Sequence, residues 1–571
     1  MDNAKVAAIL TEIAEYLEMQ GIHFKPRAYE RAAQSVSSLP DDIGTRYAQG
    51  GKKALDDIPG VGASIAKKIA ELLDTGHMKY YERLKAKIPV RLAELESIEG
   101  LGPRHIRTLF EKLHITTLKS LERAARAGKI ADLPGFGKKA EENILKGIAF
   151  VHAFQGRFPL GAVLPEIRRL AEHLRALPGV ERLEIAGSIR RWKETVGDAD
   201  LVVVSSHPKP IMAHFVTMPE VGHVYAHGET KSAIKLKNGL DVDLRIVSPR
   251  SFGAALNYFT GSKEHNITLR EIALKKGYKL NEYGLFEGKR YIAGASEGEL
   301  YRALGMSYVE PEMRENTGEI ECAKRHTLPH LIGYADLQGD LQVQTDWTDG
   351  AHSLEEMAQA AITRGLSYIA ITDHTKSLAM TGGADEKKLL RQMDAIDALN
   401  KKFKGKITLL KGAEVNILKD GSLDIADEVL AKLDVVGVAV HSHFNLSRKD
   451  QTQRIIRAME NRHVDIVFHL TGRIIHKRPP ISLDIDAVLR AAKRTHTVLE
   501  INAFPERLDI RDEVVRAALQ HGIVFSVDSD AHAIDHFQYL EYGIATARRG
   551  WAEKKDVVNA WPLPVMKKKL K

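Results

Sequence analysis

At 571 residues the chain is too long for one hydrophobic core, and its length favours three or four domains. Lys and Arg number 83 against 75 Asp and Glu, a formal net charge of +8 that suits a polyanionic partner even though acids needed for metals dilute it. The single cysteine, Cys322, excludes internal disulfides and a cysteine zinc cluster. No run approaches the ~20 apolar residues of a membrane span, and the N-terminus has helical periodicity with acids rather than a secretion signal. A soluble cytoplasmic protein is expected.

Residues 1–150 read as short helices separated by glycine turns. A small pattern recurs in them: "IPGVG" at 58–62, "IEGLG" at 98–102 and "LPGFG" at 133–137, each followed by a basic or amphipathic helix. This is the helix-hairpin-helix pattern. Gly60, Gly62, Gly100, Gly102, Gly135 and Gly137 let the backbone approach a phosphate, and the next helix offers unpaired N–H groups and a favourable dipole. Such contacts position nucleic acid without reading its sequence. One copy is no more than a helix-capping glycine; three in series point to DNA, with the third copy also suited to packing.

The stretch "EIAGSIRRWKETVGDADLVVV" at 184–204 runs an apolar strand into a turn at Gly187 and Ser188, then places Asp198 and Asp200 on a β-branched strand. In a strand i and i+2 face the same way, so the two carboxylates form a hard oxygen site suited to Mg2+. A third follows in "LDVDLRIV", where Asp243 has Asp241 as its same-face neighbour. Three converging acids could hold two ions, one activating an attacking oxygen and one stabilising the leaving oxygen. The Gly-Ser turn ahead of them offers backbone N–H groups to a triphosphate.

With the later "YFTGSKEHN", the segment "GSIRRWKETVGDAD" resembles the nucleotidyltransferase superfamily and, within it, the family X DNA polymerases. The resemblance implies that Asp198, Asp200 and Asp243 hold two Mg2+ ions, with Gly187, Ser188, Arg191 and Gly197 at the triphosphate of a deoxynucleoside triphosphate. It implies Tyr258, Phe259 and Gly261 around the sugar, and Asn266 and Arg270 against the base and template. It divides the chain into a small DNA-end-binding helical domain (1–80), a second helix-hairpin-helix subdomain (81–150), a palm (151–257) and a nucleotide-selection subdomain resembling the family's thumb (258–316). "FKPRAYERAA" and "ASIAKKIAEL" put Lys68 where some members use a Schiff-base lyase lysine, with Lys25 and Tyr29 nearby. A catalytic lysine needs a depressed pKa, and Lys67 is a cationic neighbour, but paired lysines also suit a solvated phosphate-binding face.

Residues 317–333 lose clear periodicity and read as a linker. From 334 to 571 apolar strands alternate with helices, which implies a parallel sheet and favours a barrel. Strands such as "SYIAITDH", "LDVVGVAVHSHF" and "IVFSVDSDAH" end in His or Asp, at the end where barrels of this kind place function. The series resembles the PHP (polymerase and histidinol phosphatase) domain, which implies metal ligands at Asp349, His374, Glu414, His441, His469, Asp530 and His532, with Mn2+ or Zn2+ as the ion. Where that signature begins D-L-H-x-H, this chain has "DLQVQ", so Gln342 and Gln344 replace two imidazoles. A carboxamide is a weak oxygen ligand for such ions, and the site is expected to be damaged but not erased.

The combined expectation is a monomeric DNA polymerase that fills gaps in gapped or nicked double-stranded DNA, with a barrel related to 3′–5′ exonucleases and phosphoesterases. The alternatives are template-independent nucleotidyl transfer, or a DNA-end-binding factor with a non-catalytic barrel.

Overall fold

A computed structural model describes residues 3–22, 24–37, 39, 42–98, 100–153 and 156–570. Met1 and Asp2 of the expected first helix, and Glu99 of the second glycine pattern, lie outside them.

Helices α1 (Asn3–Met19) and α2 (Lys25–Ser37) open the N-terminal region. In each glycine pattern the first glycine takes the left-handed conformation, with φ of 79° at Gly60, 86° at Gly100 and 84° at Gly135. The second precedes a helix: α3 (Ala63–Thr75), α4 (Pro103–Leu113) and α5 (Lys138–Ala153). The expected division near residue 80 does not separate two cores. A single apolar cluster runs from Val6 to Ile148, because α1 packs against helices from both halves.

The palm packs α6 (Leu160–Arg175) on a five-stranded sheet made of β1 (Arg182–Ile185), β2 (Asp198–Val204), β3 (Val221–His227), β4 (Lys231–Leu236) and β5 (Asp241–Val247). Their order is β1-β2-β5-β4-β3, and β2 and β5 are the one parallel pair. Helices α7 (Phe252–Thr260) and α8 (Lys263–Lys275) lead to a small antiparallel sheet of β6 (Lys279–Asn281), β7 (Gly284–Glu287) and β8 (Arg290–Ala293).

Residues 317–333 are more ordered than a linker. They hold α9 (Glu319–Arg325), whose Ile320 and Ala323 join the core of this subdomain together with Leu331. Its Glu319 carboxylate lies 2.7 Å from His265 Nδ1 in the interior. Seven residues are too few to show a helical period, which is why the segment looked irregular.

The C-terminal region is a parallel seven-stranded barrel: β9 (Gly339–Val343), β10 (Tyr368–Ile371), β11 (Thr408–Asn416), β12 (Val435–Ala439), β13 (Ile466–Val467), β14 (Val498–Asn502) and β15 (Phe525–Asp528). Each strand neighbours the next in sequence. The first and last are joined through Gln344 N–H to the Ala531 carbonyl at 2.8 Å, and Ala531 N–H to the Gln342 carbonyl at 3.3 Å.

Palm and barrel share apolar and polar contacts. Ile475, Leu508 and Tyr542 from the barrel are buried in the palm's own cluster, and a Cβ at Gly161 on α6 would collide with Pro505. Arg168 donates to both Glu541 oxygens at 2.6 and 2.9 Å, and Glu194 takes Arg473 at 2.7 Å and Arg511 at 3.0 Å. Trp192 meets the Tyr542 ring edge-on at 5.4 Å. Tyr542→Ala should therefore destabilise by about 3 kcal/mol, and palm and barrel should lose melting temperature together in calorimetry. Movement of a barrel transition alone would show that the two cores are energetically independent.

Candidate active sites

Strands β2 and β5 run in register, so Asp198 sits beside Asp241 and Asp200 beside Asp243. With side chains alternating across the sheet, all four carboxylates share one face. Lys235 Nζ engages Asp241 at 2.7 Å, whereas the cations nearest Asp243, Lys231 and Arg245, stay 3.8 and 3.9 Å away. Asp198, Asp200 and Asp243 are left with little direct counter-charge. Burial, then the Asp243 charge, raises the Asp198 pKa; burial, then Asp198 and Asp243, pushes Asp200 up to about 7. Such a solvent-reachable, under-neutralised trio of oxygen donors fits divalent cations well.

Gly187 lets the preceding turn close on this trio. Its φ is +67°, and an added Cβ would stand 2.8 Å from Asp200 Oδ2. The turn forms one wall of a cleft of about 640 Å3 that also takes in Ser188, Arg191, Gly197, Asp198, Asp200, Tyr258, Phe259, Gly261, Asn266 and Arg270. Ser188 Oγ is buried there without a hydrogen-bond partner. Arg191 is not loose: Nε donates to Glu315 at 3.1 Å, and a second N–H reaches the Thr260 carbonyl. Gly261, at φ +73°, admits this guanidinium, since a Cβ would lie 2.9 Å from Arg191 Nη1. Asn266 Nδ2 donates to the Tyr258 carbonyl at 2.7 Å, tying the two sides of the α7–α8 turn.

The cleft adds three cations that sequence reasoning missed: Arg157, Lys193 and Lys263. Lys193 and Lys263 lie inside the two quoted motifs, where counting lysine as ordinary surface charge hid them. Arg157 has no motif, and it is fixed by donating to Thr195 Oγ1 at 2.9 Å.

In the N-terminal region Lys68 is half-buried, with Nζ 5.0 Å from the centre of the Tyr80 ring and 5.8 Å from that of Tyr29. Burial, then the charge of Lys25, lowers its pKa. Nζ is meanwhile hydrogen-bonded to Ser64 Oγ at 2.8 Å and the Ser64 carbonyl at 3.0 Å. Tyr80 was not foreseen. At Gly62, Gly102 and Gly137 an added Cβ would meet nothing within 4 Å, so the protein's own packing does not demand glycine there.

At the mouth of the barrel, Glu414 is the hub. Its Oε1 lies 2.9 Å from His441 Nε2 and 2.8 Å from His469 Nε2, and Oε2 lies 3.4 Å from His374 Nδ1. Burial raises this carboxyl's pKa, but His374 and His441 outweigh burial and hold it well below the usual range. Burial pushes His441 down to about 4, keeping a neutral ring suited to metal ligation. Asp349, His374 and His532 form one candidate ligand group and His374, Glu414 and His441 another, each with donor atoms within 4.8 Å. Asp349 Oδ1 and His469 Nδ1 are buried without a hydrogen-bond partner, which suits them to ligate an ion. These donors fit a transition metal.

The other side of the cluster fits one poorly. Gln342 and Gln344 both turn their amide N–H groups on Glu414 Oε2, at 3.1 and 2.8 Å. Asn502 Nδ2 donates to Gln342 Oε1 at 3.0 Å and to Asp530 Oδ2 at 3.1 Å, which fixes the Gln342 amide with its donor toward Glu414. Arg507 Nε stands 3.5 Å from Asp530. Asp530 therefore belongs to an amide and guanidinium network and to neither ligand group. Asn502, Arg507 and Glu500, which accepts from Asn502 Nδ2 at 3.2 Å, were not anticipated; the alternation in "LEINAF" was the available signal for Glu500 and Asn502.

Residues 1–78 match a helix-hairpin-helix domain, 92–149 a SAM-like helix-hairpin-helix tandem, 255–315 the DNA polymerase beta thumb and 340–525 the PHP domain. The chain is 36% identical over 568 residues to the DNA polymerase/3′-5′ exonuclease PolX of Bacillus subtilis, covering 98% of each protein. It is 24% identical over 348 residues to DNA polymerase lambda of Rattus norvegicus, 55% of this chain and 56% of that one. A probable phosphatase of Thermoanaerobacter sp. is 33% identical over 190 residues, 32% of this chain and 72% of that protein.

Because Glu414 supplies the shared negative charge, Glu414→Gln should leave imidazoles without a carboxylate and reduce Mn2+ binding at the barrel. The test is electron paramagnetic resonance of Mn2+ titrated into protein carrying Asp198→Asn, which silences the palm. Unchanged binding would exclude Glu414 as a ligand.

Proposed function

The chain belongs to the family X DNA polymerases that carry a C-terminal PHP domain, and from this premise we propose that it fills short gaps in DNA during repair. The observation that carries the reading is the grouping of Asp198, Asp200 and Asp243 on one face of two parallel strands, the first two lining a cleft that also holds Ser188, Arg191 and Lys193. This is the arrangement needed for a triphosphate to lie between cations and carboxylate-bound metal.

In this reading Asp198, Asp200 and Asp243 would hold Mg2+, which would supply the positive charge needed at the attacking and leaving oxygens. The chain's own residues do the positioning. Ser188 and the backbone following Gly187 take the phosphates, assisted by Arg191 and by Gly197, which lines the same wall. Tyr258, Phe259 and Gly261 face the sugar, and Asn266 and Arg270 approach the base and template. The glycine hairpins hold the phosphate backbone of gapped or nicked duplex DNA without regard to sequence. Lys68, beside Lys25, Tyr29 and Tyr80, is suited to a lyase nucleophile by its lowered pKa. The working unit is a cytoplasmic monomer.

The barrel, loaded with Mn2+ or Zn2+, would act as a 3′–5′ exonuclease of reduced power. Its remaining ligands are Asp349, His374, Glu414, His441, His469 and His532, and the Gln342 and Gln344 amides stand where two further imidazoles would bring another ion. Those amides, hydrogen-bonded to Glu414, also support a second reading in which the barrel is structural.

Two measurements test these assignments. Asp243→Ala should reduce templated primer extension by orders of magnitude while gapped-DNA affinity persists; near wild-type extension would remove the mechanism. Gln342→His with Gln344→His, in an Asp198→Ala background, should raise digestion of a labelled 3′ end. Strong digestion without the two histidines, abolished by His469→Ala, would show that the substitutions cost little.

A further inference from the structure

A cleft of about 860 Å3 lies apart from both the aspartate trio and the Glu414 cluster. It lies between the second and third glycine hairpins and the rim of the barrel. One wall carries Gly100, Phe136 and Lys146; the other carries Phe444, Lys477 and Arg478. Among the described residues no aspartate or glutamate lines it. Gly100 is left-handed, and a Cβ there would meet nothing within 4 Å.

The barrel wall is built rather than incidental. The Arg478 guanidinium lies 4.1 Å from the centre of the Phe444 ring, and its Nε donates to the Gly472 carbonyl at 2.7 Å. Gly472 has φ +58°, and a Cβ there would press to 3.2 Å from Phe444 Cε1, so the loop's shape sets ring and cation together. Across the groove the Phe136 ring meets His105 edge-on at 5.0 Å. Both phenylalanines are half-buried, and Lys146 and Lys477 are exposed. Lys477 is partly neutralised by Glu506 at 3.0 Å.

Half-buried aromatic rings interleaved with cations suit unpaired nucleotides, whose bases stack while the backbone follows the positive charge. Paired bases have no free face to offer such rings. The wall also leads somewhere. Phe444 follows His441 by three residues, and the loop bearing Lys477 and Arg478 leaves the strand end that carries His469.

We propose that this groove binds a single-stranded 3′ DNA tail and leads it from the hairpins to the metal-ligand cluster of the barrel. The 3′ polarity rests on the exonuclease reading above; the preference for an unpaired strand does not.

The test is fluorescence anisotropy with the full-length protein in EDTA, so that binding is read without hydrolysis. Three labelled duplexes are compared: blunt, with a short thymidine 3′ tail, and with the same tail at the 5′ end. The 3′ tail should tighten binding about tenfold. Phe444→Ala with Arg478→Ala should remove that gain, and so should Lys146→Glu, an exposed change on the opposite wall that leaves the core alone. Gap filling by the palm should be unaltered by the Phe444 and Arg478 changes. The proposal is overturned if the tail gives no gain, if the gain survives both sets of changes, or if a 5′ tail serves equally well. A catalytically dead barrel would leave this result untouched, so failure of the exonuclease reading is separately visible.

Discussion

Mutual repulsion among carboxylates on two parallel strands is the constraint to which the polymerase half of the molecule answers. The register of β2 against β5 leaves no choice: once Asp200 pairs with Asp243, Asp198 must stand beside Asp241. One of the four is neutralised by Lys235, and the others are kept close by a sheet whose interior positions, Ala199, Leu201, Val203, Val242 and Leu244, are buried in the palm core. Hydrophobic burial on one face thus holds in place an arrangement that electrostatics on the other opposes. Cations held there would relieve this repulsion and would link stability to metal affinity through the same residues.

A second layer of charge fixes the cations that face this trio. Glu315 lies 3.1 Å from Arg191, 3.1 Å from Arg549 and 3.8 Å from Lys193, and burial of this carboxyl is outweighed by those cations, which keep its pKa low. Arg549 comes from α10 (Leu540–Arg549) of the barrel region, and it also donates to the Arg191 carbonyl at 2.7 Å. Deeper in, the fully buried Arg314 shares Glu297 with Arg190, at 2.6 and 2.7 Å. Breaking one partner of such a buried set strands a charge, so these contacts serve geometry more than net stability. The barrel is in this way part of the support of the nucleotide cleft, whatever its own chemistry.

What could be read from the sequence was what repeats locally. The period of two in "DADLVVV" and "DVDLRIV" announced strands with carboxylates on one face, and the glycine pairs announced turns with helices behind them. Alternating strand and helix announced the barrel, and its strand ends gave the histidines. Contacts between distant segments leave no local period. Hence the single core of residues 1–150, the packing of the short helix Glu319–Arg325, the tie from Arg549 to Arg191, and the Asn502 bridge between Gln342 and Asp530 had to come from the fold. The same holds for Tyr80, which stands against Lys68 from a separate helix.

The two clusters meet the problem of buried negative charge in opposite ways, and the difference follows from their ligand types. In the palm the donors are carboxylates alone, with Arg191 and Lys193 engaged by Glu315 and with Lys231 and Arg245 3.8 and 3.9 Å from Asp243, so the protein's own cations neutralise them only in part. In the barrel, Glu414 is hydrogen-bonded to two amides and His469, with His374 and His441 close by, and a carboxylate so enclosed needs less from a metal. Replacing an imidazole lone pair with an amide N–H exchanges a group that would bind metal for one that binds the metal's carboxylate ligand. Gln342 and Gln344 therefore do more than weaken a site. They convert one side of it into a hydrogen-bonded network that holds its shape with no ion present, while the side formed by Asp349, His374 and His532 keeps the lone pairs that a metal needs.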